Sequence, residues 1–557
     1  MFTFHSIIMR KSIIILLLTI STAGVSQHSS ERASFGRATT HQVPVLVNKQ
    51  HNPVMTIQWE AEGHAVDAIE LDFQGTSSMK DIRSVRVFMS GTPSIFDTAR
   101  LIATAPVFNN RCLIPVKLSG GVNKVWISLE LNPGTDLRHT FSVRCLGIQS
   151  GDSRLSVMSE PLTPPVLRAG LALRSHGEDG VDTYRIPGLA TSRKGTVMSV
   201  YDARRASSRD LQGDIDIVLN RSVDGGRHWE PMQVVLDMKE WGGLPQKFNG
   251  VSDASILVDD RSGNIFIAGL WMHGVLDERG QPIMPLDAAS NAWNHQWRNR
   301  GSQPGYDVRH TSQFLISQST DDGLTWSAPV NITGIKDSSW WLFAPAPGRG
   351  ITLDDGTLVF PTQGRDSVGR SFSNITFSRD GGKTWHTSRP AMFNTTECQA
   401  VQRSDGSIML NMRHNANRID TGMSNGRGVA ITYDLGGSWI EHQTSRHALR
   451  EPTCMAGFHR HEMGRGKRSM LLFSNPNAEK LRTHMTIKAS FDDGETWPAS
   501  HWLLLDEFKS RGYSCLTSIN RKTIGILYES SQADMVFQWI PVSTFSRRSL
   551  KNAAFRL

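Results

Sequence analysis

Short apolar or alternating runs recur along the chain, and glycine, asparagine and aspartate separate them. Residues 265–271, 407–412 and 524–528 are representative of these runs. Their length and their Gly, Asn and Asp boundaries are typical of β-strands joined by turns. The sequence shows no sustained 3.6-residue periodicity of the kind that a long helix produces. The pattern therefore predicts an all-β protein.

A motif of the form Ser/Thr-x-Asp-x-Gly-x-x-Trp is repeated along the chain. Its aspartates are Asp224, Asp321, Asp380, Asp434 and Asp492. After a first step of about 97 residues, which indicates an insertion, the copies lie about 54 to 59 residues apart, a spacing typical of β-propeller blades. In each copy we expect the Asp to accept backbone N–H groups of its own turn and the Trp to pack between sheets. We interpret these Asp boxes as structural.

The chain divides into regions that differ in sequence pattern. Residues 27–160 contain strand-like runs such as 82–89 but no Asp box, and we predict a separate β-sandwich for them. Prolines at the start of residues 161–172 indicate a stiff linker. Residues 173–557 have the length of six four-stranded blades of about 60 to 65 residues each. The expected fold is a six-bladed β-propeller preceded by a smaller β-sandwich domain.

The first residues have the layout of a secretory signal peptide, which we predict over residues 1–26. Arg10 and Lys11 precede the apolar run 13–20, and small residues follow it. Met9, directly before the basic pair, is an alternative start. No other stretch approaches the roughly 20 apolar residues that a transmembrane helix needs. We therefore expect a secreted or periplasmic protein with no transmembrane segment.

Composition excludes some classes of function. The chain has 60 Lys+Arg against 52 Asp+Glu, a net charge of +8 that attracts anionic partners in general. Basic runs with interleaved aromatic residues, which mark nucleic-acid-binding proteins, are missing from the sequence, so no nucleic acid partner is expected. No cluster of Cys, His, Asp or Glu has the spacing of a metal site, and we expect neither a metal nor a cofactor.

The five cysteines are irregularly spaced. They give neither a dense disulfide framework nor a zinc pattern. Two interpretations stay open for Cys112 and Cys145: a disulfide within the N-terminal region, or buried structural thiols, which we favour.

The run Tyr184-Arg185-Ile186-Pro187-Gly188, followed by Asp boxes, resembles the bacterial exo-sialidase family of retaining glycoside hydrolases. The resemblance extends from about residue 173 to about residue 539, and the N-terminal region resembles a β-sandwich that often precedes such enzymes. It implies hydrolysis of terminal α-linked sialic acids from glycoproteins, glycolipids and oligosaccharides, with retention of configuration. The expected partners are sialylated glycans.

Three arginines match the family residues that hold the substrate carboxylate. Arg185 lies in the Tyr-Arg-Ile-Pro run, Arg413 in residues 410–415 and Arg482 in residues 475–487. The planar guanidinium binds a carboxylate through two hydrogen bonds and stays charged at every relevant pH. Any one arginine alone would more often be a solvated surface residue, but the three contexts together favour the binding role.

The resemblance also assigns the catalytic groups. Tyr513 is the implied nucleophile and Glu397 the carboxylate that takes its proton, because a tyrosine with an ordinary pKa near 10 is a poor nucleophile. A neutral tyrosine suits a sugar whose anomeric carbon bears a carboxylate, since that charge would repel an anionic nucleophile. Asp210 matches the general acid/base that protonates the leaving oxygen and then activates water.

Supporting roles follow from the same resemblance. Arg204 matches a residue that contacts the sugar hydroxyl at C4, and Glu529 matches the carboxylate that orients Arg185. Asp253 is placed near the sugar. Three tryptophans either form an apolar wall for the N-acyl group or, as we favour, pack between blades: Trp271, Trp340 and Trp341.

Two alternative functions stay open at this point. A non-catalytic Asp-box propeller, acting as a binding module, has the same turns without the chemistry. A trans-sialidase, or an intramolecular variant that yields an anhydro sugar, shares the catalytic residues. The linkage preference, the oligomeric state and the role of the N-terminal region, whether glycan binding or bracing, are also open. The ordered set of arginine, carboxylate and tyrosine residues argues against the non-catalytic module, and among the catalytic alternatives we favour hydrolysis.

Overall fold

The structure is a computed structural model, and it describes residues 36–61, 65–90, 96–119, 121–464 and 469–545. The predicted signal peptide, residues 1–26, lies outside the described residues. The described residues form strands, numbered here in chain order, and short 3-10 helices, but no α-helix. This confirms the all-β prediction. The 3-10 helices are Met79–Asp81, Thr98–Arg100, Glu178–Gly180, Gln246–Phe248, Thr333–Ile335, Asn415–Arg418, Gly422–Ser424, Ala499–His501 and Val542–Phe545.

The N-terminal region forms two sheets that share one hydrophobic cluster, to which Ile57 and Ile69 belong. Sheet 1 has the strand order β12 (Val157–Glu160), β1 (Gly36–Thr40), β3 (Asn52–Ala61), β8 (Gly121–Leu131), β5 (Ile82–Met89) and β6 (Leu101–Ala105). Sheet 2 has the order β11 (Ser153–Leu155), β10 (Arg144–Ser150), β4 (Val66–Asp72) and β7 (Arg111–Leu118).

Three further sheets follow along the chain. Sheet 3 consists of β14 (Thr183–Thr191), β15 (Val197–Arg204), β16 (Ile215–Ser222) and β17 (Gln233–Leu236). Sheet 4 consists of β18 (Val251–Val258), β19 (Ile265–Trp271), β20 (Gln313–Ser319) and β21 (Val330–Asn331), with β23 (Gly348–Arg349) at its edge. Sheet 5 consists of β22 (Leu342–Pro345), β25 (Leu358–Arg365), β26 (Ser371–Ser378) and β27 (His386–Thr387), with the short β24 (Ile351–Thr352) and β28 (Met392–Phe393).

The last three sheets include one that joins distant parts of the chain. Sheet 6 consists of β29 (Thr395–Gln402), β30 (Ile408–His414), β31 (Gly428–Thr432) and β32 (Ile440–Glu441). Sheet 7 consists of β33 (Gly457–Glu462), β34 (Ser469–Pro476), β35 (Met485–Ser490) and β36 (Trp502–Asp506). Sheet 8 combines β37 (Ser514–Asn520), β38 (Thr523–Tyr528) and β39 (Met535–Pro541) with β13 (Leu167–Arg174), β2 (Val45–Leu46) and β9 (Thr140–Phe141).

A hydrophobic cluster connects each of sheets 3 to 8 with the next, and sheet 8 with sheet 3. Each cluster contains aliphatic or aromatic side chains from both of the sheets that it connects, so burial of apolar surface stabilises the whole series. Representative pairs, in order, are Val200 with Ile256, Phe266 with Phe343, Val359 with Leu410, Val429 with Phe458, Leu472 with Ile526, and Phe537 with Tyr201.

The Asp boxes lie at the ends of β16, β20, β26, β31 and β35. In the first box, Asp224 Oδ1 accepts the backbone N–H groups of Arg227 and His228, both at 3.0 Å. Gly226 has φ of 97°, and a Cβ at that position would come within 2.3 Å of the Phe537 ring. The invariant elements of the motif therefore serve the turn and its packing, as the sequence predicts.

Two details bear on the sequence analysis, and the first agrees with the interpretation of Cys112 and Cys145 as buried structural thiols. Cys112 and Cys145 are both unpaired and buried. Cys145 and Cys112 lie on the two strands that flank β4, and both are paired with Leu71 of that strand. Two strand spacings, about 10 Å, therefore separate the cysteines, which excludes a disulfide between them. The range 161–172, predicted as a linker, includes the start of β13, because its apolar residues Leu167 and Ala169 are buried in the shared core.

Candidate active site

Bulges in β14, β18 and β29 shape one cavity. The pairing register shifts between Arg185 and Gly188, between Ser252 and Ser255, and between Thr395 and Cys398. A bulge bends its strand and turns a side chain away from the regular alternation. Pro187, which lacks an N–H group, fits the first bulge. Residues from all three bulges line the cavity: Ile186, Asp253, Thr396 and Glu397.

Tyr513 and Glu397 form the centre of this cavity. The Tyr513 hydroxyl donates a hydrogen bond to Oε1 of Glu397. Arg413 donates to Oε2 of Glu397 at 2.5 Å and to the tyrosine oxygen at 3.2 Å. Burial and the Glu397 charge raise the pKa of Tyr513 well above its ordinary value. The phenol is therefore protonated at neutral pH, and Glu397 is in position to accept its proton.

The structure brings the three sequence-predicted arginines to this tyrosine. Cζ of Arg185 lies 5.2 Å from the centre of the Tyr513 ring, and Cζ of Arg482 lies 5.4 Å from it. Arg413 contacts the hydroxyl, as described above. Gly512 has φ of 86°, and a Cβ there would approach Cβ of Arg482 to 3.1 Å. A glycine at this position thus lets Arg482 pack next to the tyrosine.

Glu529 connects Arg185 with the backbone of Tyr513. One carboxylate oxygen accepts Nε of Arg185 at 2.5 Å and the backbone N–H of Ile186 at 3.1 Å. The other accepts the backbone N–H of Tyr513 at 2.9 Å. Burial alone would lower the pKa of Arg185, but the Glu529 charge raises it above its usual value. This geometry fits the orienting role that the resemblance implies for Glu529.

Asp210 reaches the cavity from the loop between β15 and β16, and Arg204 holds it there. Nη2 of Arg204 lies 2.6 Å from Oδ1 of Asp210 and 3.1 Å from Oδ2 of Asp202. Burial alone would raise the pKa of Asp210, but Arg204, Arg185 and His295 hold it below its ordinary value. Asp210 is therefore ionised in this structure.

The position of Arg204 differs from the sequence expectation that it contacts a sugar hydroxyl. Its side chain is fully buried and is not part of the cavity wall. Asp202 beside it is also fully buried, and a buried carboxylate requires a cationic partner. Arg204 meets that requirement, and it contacts the carboxylates of both Asp202 and Asp210.

Asp253 lies in the wall of the cavity, as the sequence analysis expects. It is buried, and its backbone has φ of 62°, a conformation that is strained for a residue with a Cβ. Burial and the charges of Asp210 and Asp202 raise its pKa well above its ordinary value. When it is protonated, the carboxyl group is able to donate a hydrogen bond into the cavity.

The tryptophan in the cavity wall is one that sequence reasoning missed. Trp297 lines the cavity, whereas Trp271 packs in the core between sheets 3 and 4. Trp340 packs against Phe343 and Phe372, with ring centres 5.5 and 4.6 Å away. Trp341 does not line the cavity either. The packing interpretation thus holds for Trp271 and Trp340.

Further cavity residues come from segments that no motif marks. The segment 272–312, between β19 and β20, supplies His295, Trp297 and Arg298, and it accounts for the long first step between Asp boxes. The extra length of this segment was the only feature of the sequence that could have indicated these cavity residues. The others come from β25 and from the segment after β30: Gln363, Arg365, Asn415 and Arg418.

Neither a metal cluster nor a membrane span is found in the described part of the chain. Among those residues, no group of three or more His, Cys, Asp or Glu side chains is placed to hold a metal ion. No helix there has the length and apolar character needed to cross a bilayer.

The cavity combines a protonated tyrosine, a carboxylate that is in position to accept its proton, Arg413 and an aspartate. Arg185 and Arg482 lie against the ring of the same tyrosine. A neutral nucleophile among cations suits displacement at a carbon that carries a carboxylate. The aspartate is in position for proton transfer to or from a leaving group. These groups are suited to acid/base chemistry on an anionic substrate.

Comparisons with known proteins show which family this chain is similar to. Residues 195–526 match the family model of the BNR repeat-like domain, and residues 35–107 match the N-terminal domain of BNR-repeat neuraminidase. A sialidase of Bacteroides fragilis is 39% identical, and the match covers 95% of this chain and 98% of that protein. A sialidase of Micromonospora viridifaciens is 32% identical over 64% of this chain and 51% of that protein.

A solved structure agrees over most of the chain. The Hadza microbial sialidase Hz136 superposes with a TM-score of 0.83 at 35% identity, covering 92% of this chain and 100% of that one. The Trypanosoma rangeli sialidase, at 19% identity and a TM-score of 0.51 over 69% of this chain, shares the fold. This chain belongs to the BNR-repeat neuraminidase family, the sialidases.

Proposed function

We propose that this protein is an exo-α-sialidase that hydrolyses terminal α-linked sialic acids from glycoproteins, glycolipids and oligosaccharides. The hydrogen bond from Tyr513 to Glu397, within reach of Arg413, supports this proposal most directly. A non-catalytic binding module needs no nucleophile paired with a base. The proposed reaction proceeds with retention through a covalent sialyl-tyrosine intermediate.

In the first half-reaction the Tyr513 oxygen attacks the anomeric carbon while Glu397 takes the phenol proton. The bond to the leaving glycan breaks, and its oxygen receives a proton from Asp210. The cations around Asp210, Arg204 and Arg185 above all, lower its pKa. A bound substrate carboxylate would neutralise Arg185 and its partners, and would thereby raise the pKa of Asp210 toward the protonated form that this step needs.

In the second half-reaction Asp210 acts as a base. It removes a proton from water, and the water oxygen attacks the anomeric carbon. The bond to Tyr513 breaks, and Glu397 returns the proton to the tyrosine oxygen. Two displacements at one carbon, each with inversion, leave the configuration unchanged.

The architecture and the location are part of the same proposal. Sheets 3 to 8, connected in series and then back to the first through hydrophobic clusters, support a six-bladed β-propeller over residues 173–557. The two N-terminal sheets around one core support a β-sandwich over residues 27–160. The predicted signal peptide over residues 1–26 supports a secreted or periplasmic location.

The test is hydrolysis of a fluorogenic α-sialoside, with the first product followed by NMR. The proposal expects release of the fluorophore and initial appearance of the α-anomer of free sialic acid. Lack of any hydrolysis would overturn the assignment. A first product with the β-configuration would reject the double displacement, and an anhydro sugar would favour the intramolecular alternative.

A further inference from the structure

Three arginines at the mouth of the cavity have no part in the reaction described above. Arg298 and Arg418 are exposed, and Arg365 is half-buried. All three line the cavity. Across the described residues none of them forms an ion pair with a carboxylate, in contrast with Arg413, whose Nη1 lies 2.5 Å from Glu397. We call Arg298, Arg365 and Arg418 the rim arginines.

The rim arginines are close enough to repel one another. Burial, then Arg418 and Arg298, lower the pKa of Arg365 to about 10. Burial and the charge of Arg298 also lower the pKa of Arg418. Arg365 is fixed in place by a hydrogen bond of 3.0 Å from Nη2 to the carbonyl oxygen of Trp297, and its Cζ lies 5.5 Å from the centre of the Trp297 ring. A bound anion would relieve this repulsion.

The same cations extend into a groove next to the cavity. Arg298, Arg413 and Arg418 line this groove together with Lys480 and Glu479. Glu479 does not neutralise the rim, because its Oε1 lies 3.3 Å from Nε of Arg450. The groove therefore carries net positive charge.

The position of the rim relative to Asp210 indicates which part of the substrate it meets. Nε2 of His295 lies 3.8 Å from Oδ2 of Asp210, and the three rim arginines act electrostatically on His295. In the proposed reaction Asp210 protonates the leaving oxygen. Because His295 and Arg298 belong to the same segment, 272–312, and both line the cavity, we expect the sugar attached to that oxygen to extend toward the rim arginines.

We infer that the rim arginines bind a second negative charge, carried by the leaving glycan, and that this enzyme favours sialosides whose penultimate residues are anionic. This inference rests on the proposed sialidase function. Two sources of the charge share this chemistry: the carboxylate of a second sialic acid, and the sulfate of a sulfated sugar. Guanidinium groups bind either anion through charge-assisted hydrogen bonds.

The test compares kcat/KM on three sialosides: one whose leaving group is neutral lactose, and two whose leaving groups are anionic derivatives of it, a sialyl-lactose and a sulfated lactose. The double variant R365Q/R418Q should lose roughly tenfold more activity on the anionic substrates than on the neutral one. The preference of the wild type should also fall as salt screens the rim. R227Q is the matched control, because Arg227 also stacks on a tryptophan, with Cζ 4.8 Å from the Trp539 ring centre, but does not line the cavity.

Each outcome separates the two proposals. A loss confined to the sialylated or to the sulfated leaving group identifies the anion, and a loss on both supports the shared chemistry. Equal losses on all three substrates overturn the inference while leaving the sialidase assignment intact, since the neutral substrate reports a folded, active enzyme. If the wild type hydrolyses none of the substrates, the proposed function itself fails.

Discussion

The Tyr513 hydroxyl donates a hydrogen bond to Oε1 of Glu397, although the two residues are 116 positions apart in sequence. Glu397 lies in β29, and Tyr513 directly precedes β37. Burial and the negative charge of Glu397 both disfavour the phenolate, so the resting pair is a neutral phenol and a carboxylate. The nucleophile thus becomes anionic only as it transfers its proton. At rest the neutral phenol is a poor nucleophile. In the proposed reaction it attacks only an electrophile whose approach the arginines assist.

Replacement of Glu529 by glutamine should weaken binding of the substrate carboxylate. Both carboxylate oxygens of Glu529 accept hydrogen bonds, one from Arg185 and the other from the backbone N–H of Tyr513. In either orientation, the NH2 group of a glutamine would therefore face one of these two donors. A misoriented Arg185 would lose its charge-assisted hydrogen bond to the substrate, worth roughly 1.5–3 kcal/mol, so the KM for an α-sialoside should rise about 10- to 150-fold. Steady-state kinetics checks this, with kcat reported separately.

The control for Glu529 is Glu240→Gln, a change of the same charge at an exposed position. It should leave KM unchanged. If the E529Q protein has a normal KM, Glu529 does not orient Arg185.

The three arginines around Tyr513 should recognise the charge of the ligand. Changing Arg185, Arg413 or Arg482 to alanine should weaken an unsaturated sialic acid inhibitor by about 10- to 150-fold, since each charge-assisted hydrogen bond contributes roughly 1.5–3 kcal/mol. The methyl ester of the same inhibitor should bind weakly to the wild type and lose little more in the variants. Calorimetry with both ligands measures this difference. Equal losses for acid and ester would show that the arginines do not bind the carboxylate.

The Asp boxes should affect stability rather than catalysis, in a way that depends on pH. Backbone and side-chain hydrogen bonds lower the pKa of Asp224 to about 2, below the ordinary value near 3.9 for an unfolded chain. A lowered pKa in the folded state gives stability that is present above the unfolded value and is lost as pH falls through about 2. Asp224→Asn should therefore lower the Tm at pH 7, and the difference from the wild type should shrink between pH 4 and pH 2.

Thermal unfolding followed by circular dichroism measures this pH dependence, and kcat at 25 °C should stay unchanged in the same variant. A constant difference in Tm across this pH range would mean that the charge of Asp224 does not stabilise its turn.

Local sequence patterns predicted much of the fold. The run 265–271 coincides with β19, and the run 524–528 lies in β38, because alternation and turn residues act over a few neighbouring positions. The five Asp boxes each end a strand, as the motif requires. Whether Cys112 and Cys145 can pair depends on the order of the strands in the sheet, and a local sequence pattern does not determine that order.

The site was predictable only where a family motif marks it. Arg185, Glu397, Arg413 and Tyr513 are brought together in the structure. The bulges that turn Asp253 and Glu397 into the cavity depend on pairing between strands. Trp297, Arg298 and Arg418 come from loops whose course is set by tertiary contacts, whereas Arg365 ends β25. Arg204 is buried beside Asp202, a neighbour that the motif did not assign.

The identity of the nucleophile is the central claim, and mass spectrometry of the protein trapped with a 2,3-difluoro sialic acid tests it most directly. A fluorinated substrate slows release of the covalent intermediate, so the label should appear on the peptide that contains Tyr513. In Tyr513→Phe, labelling should disappear and kcat/KM should fall by roughly 10³-fold or more. A label on another residue, or labelling of the phenylalanine variant at the wild-type rate, would contradict the account.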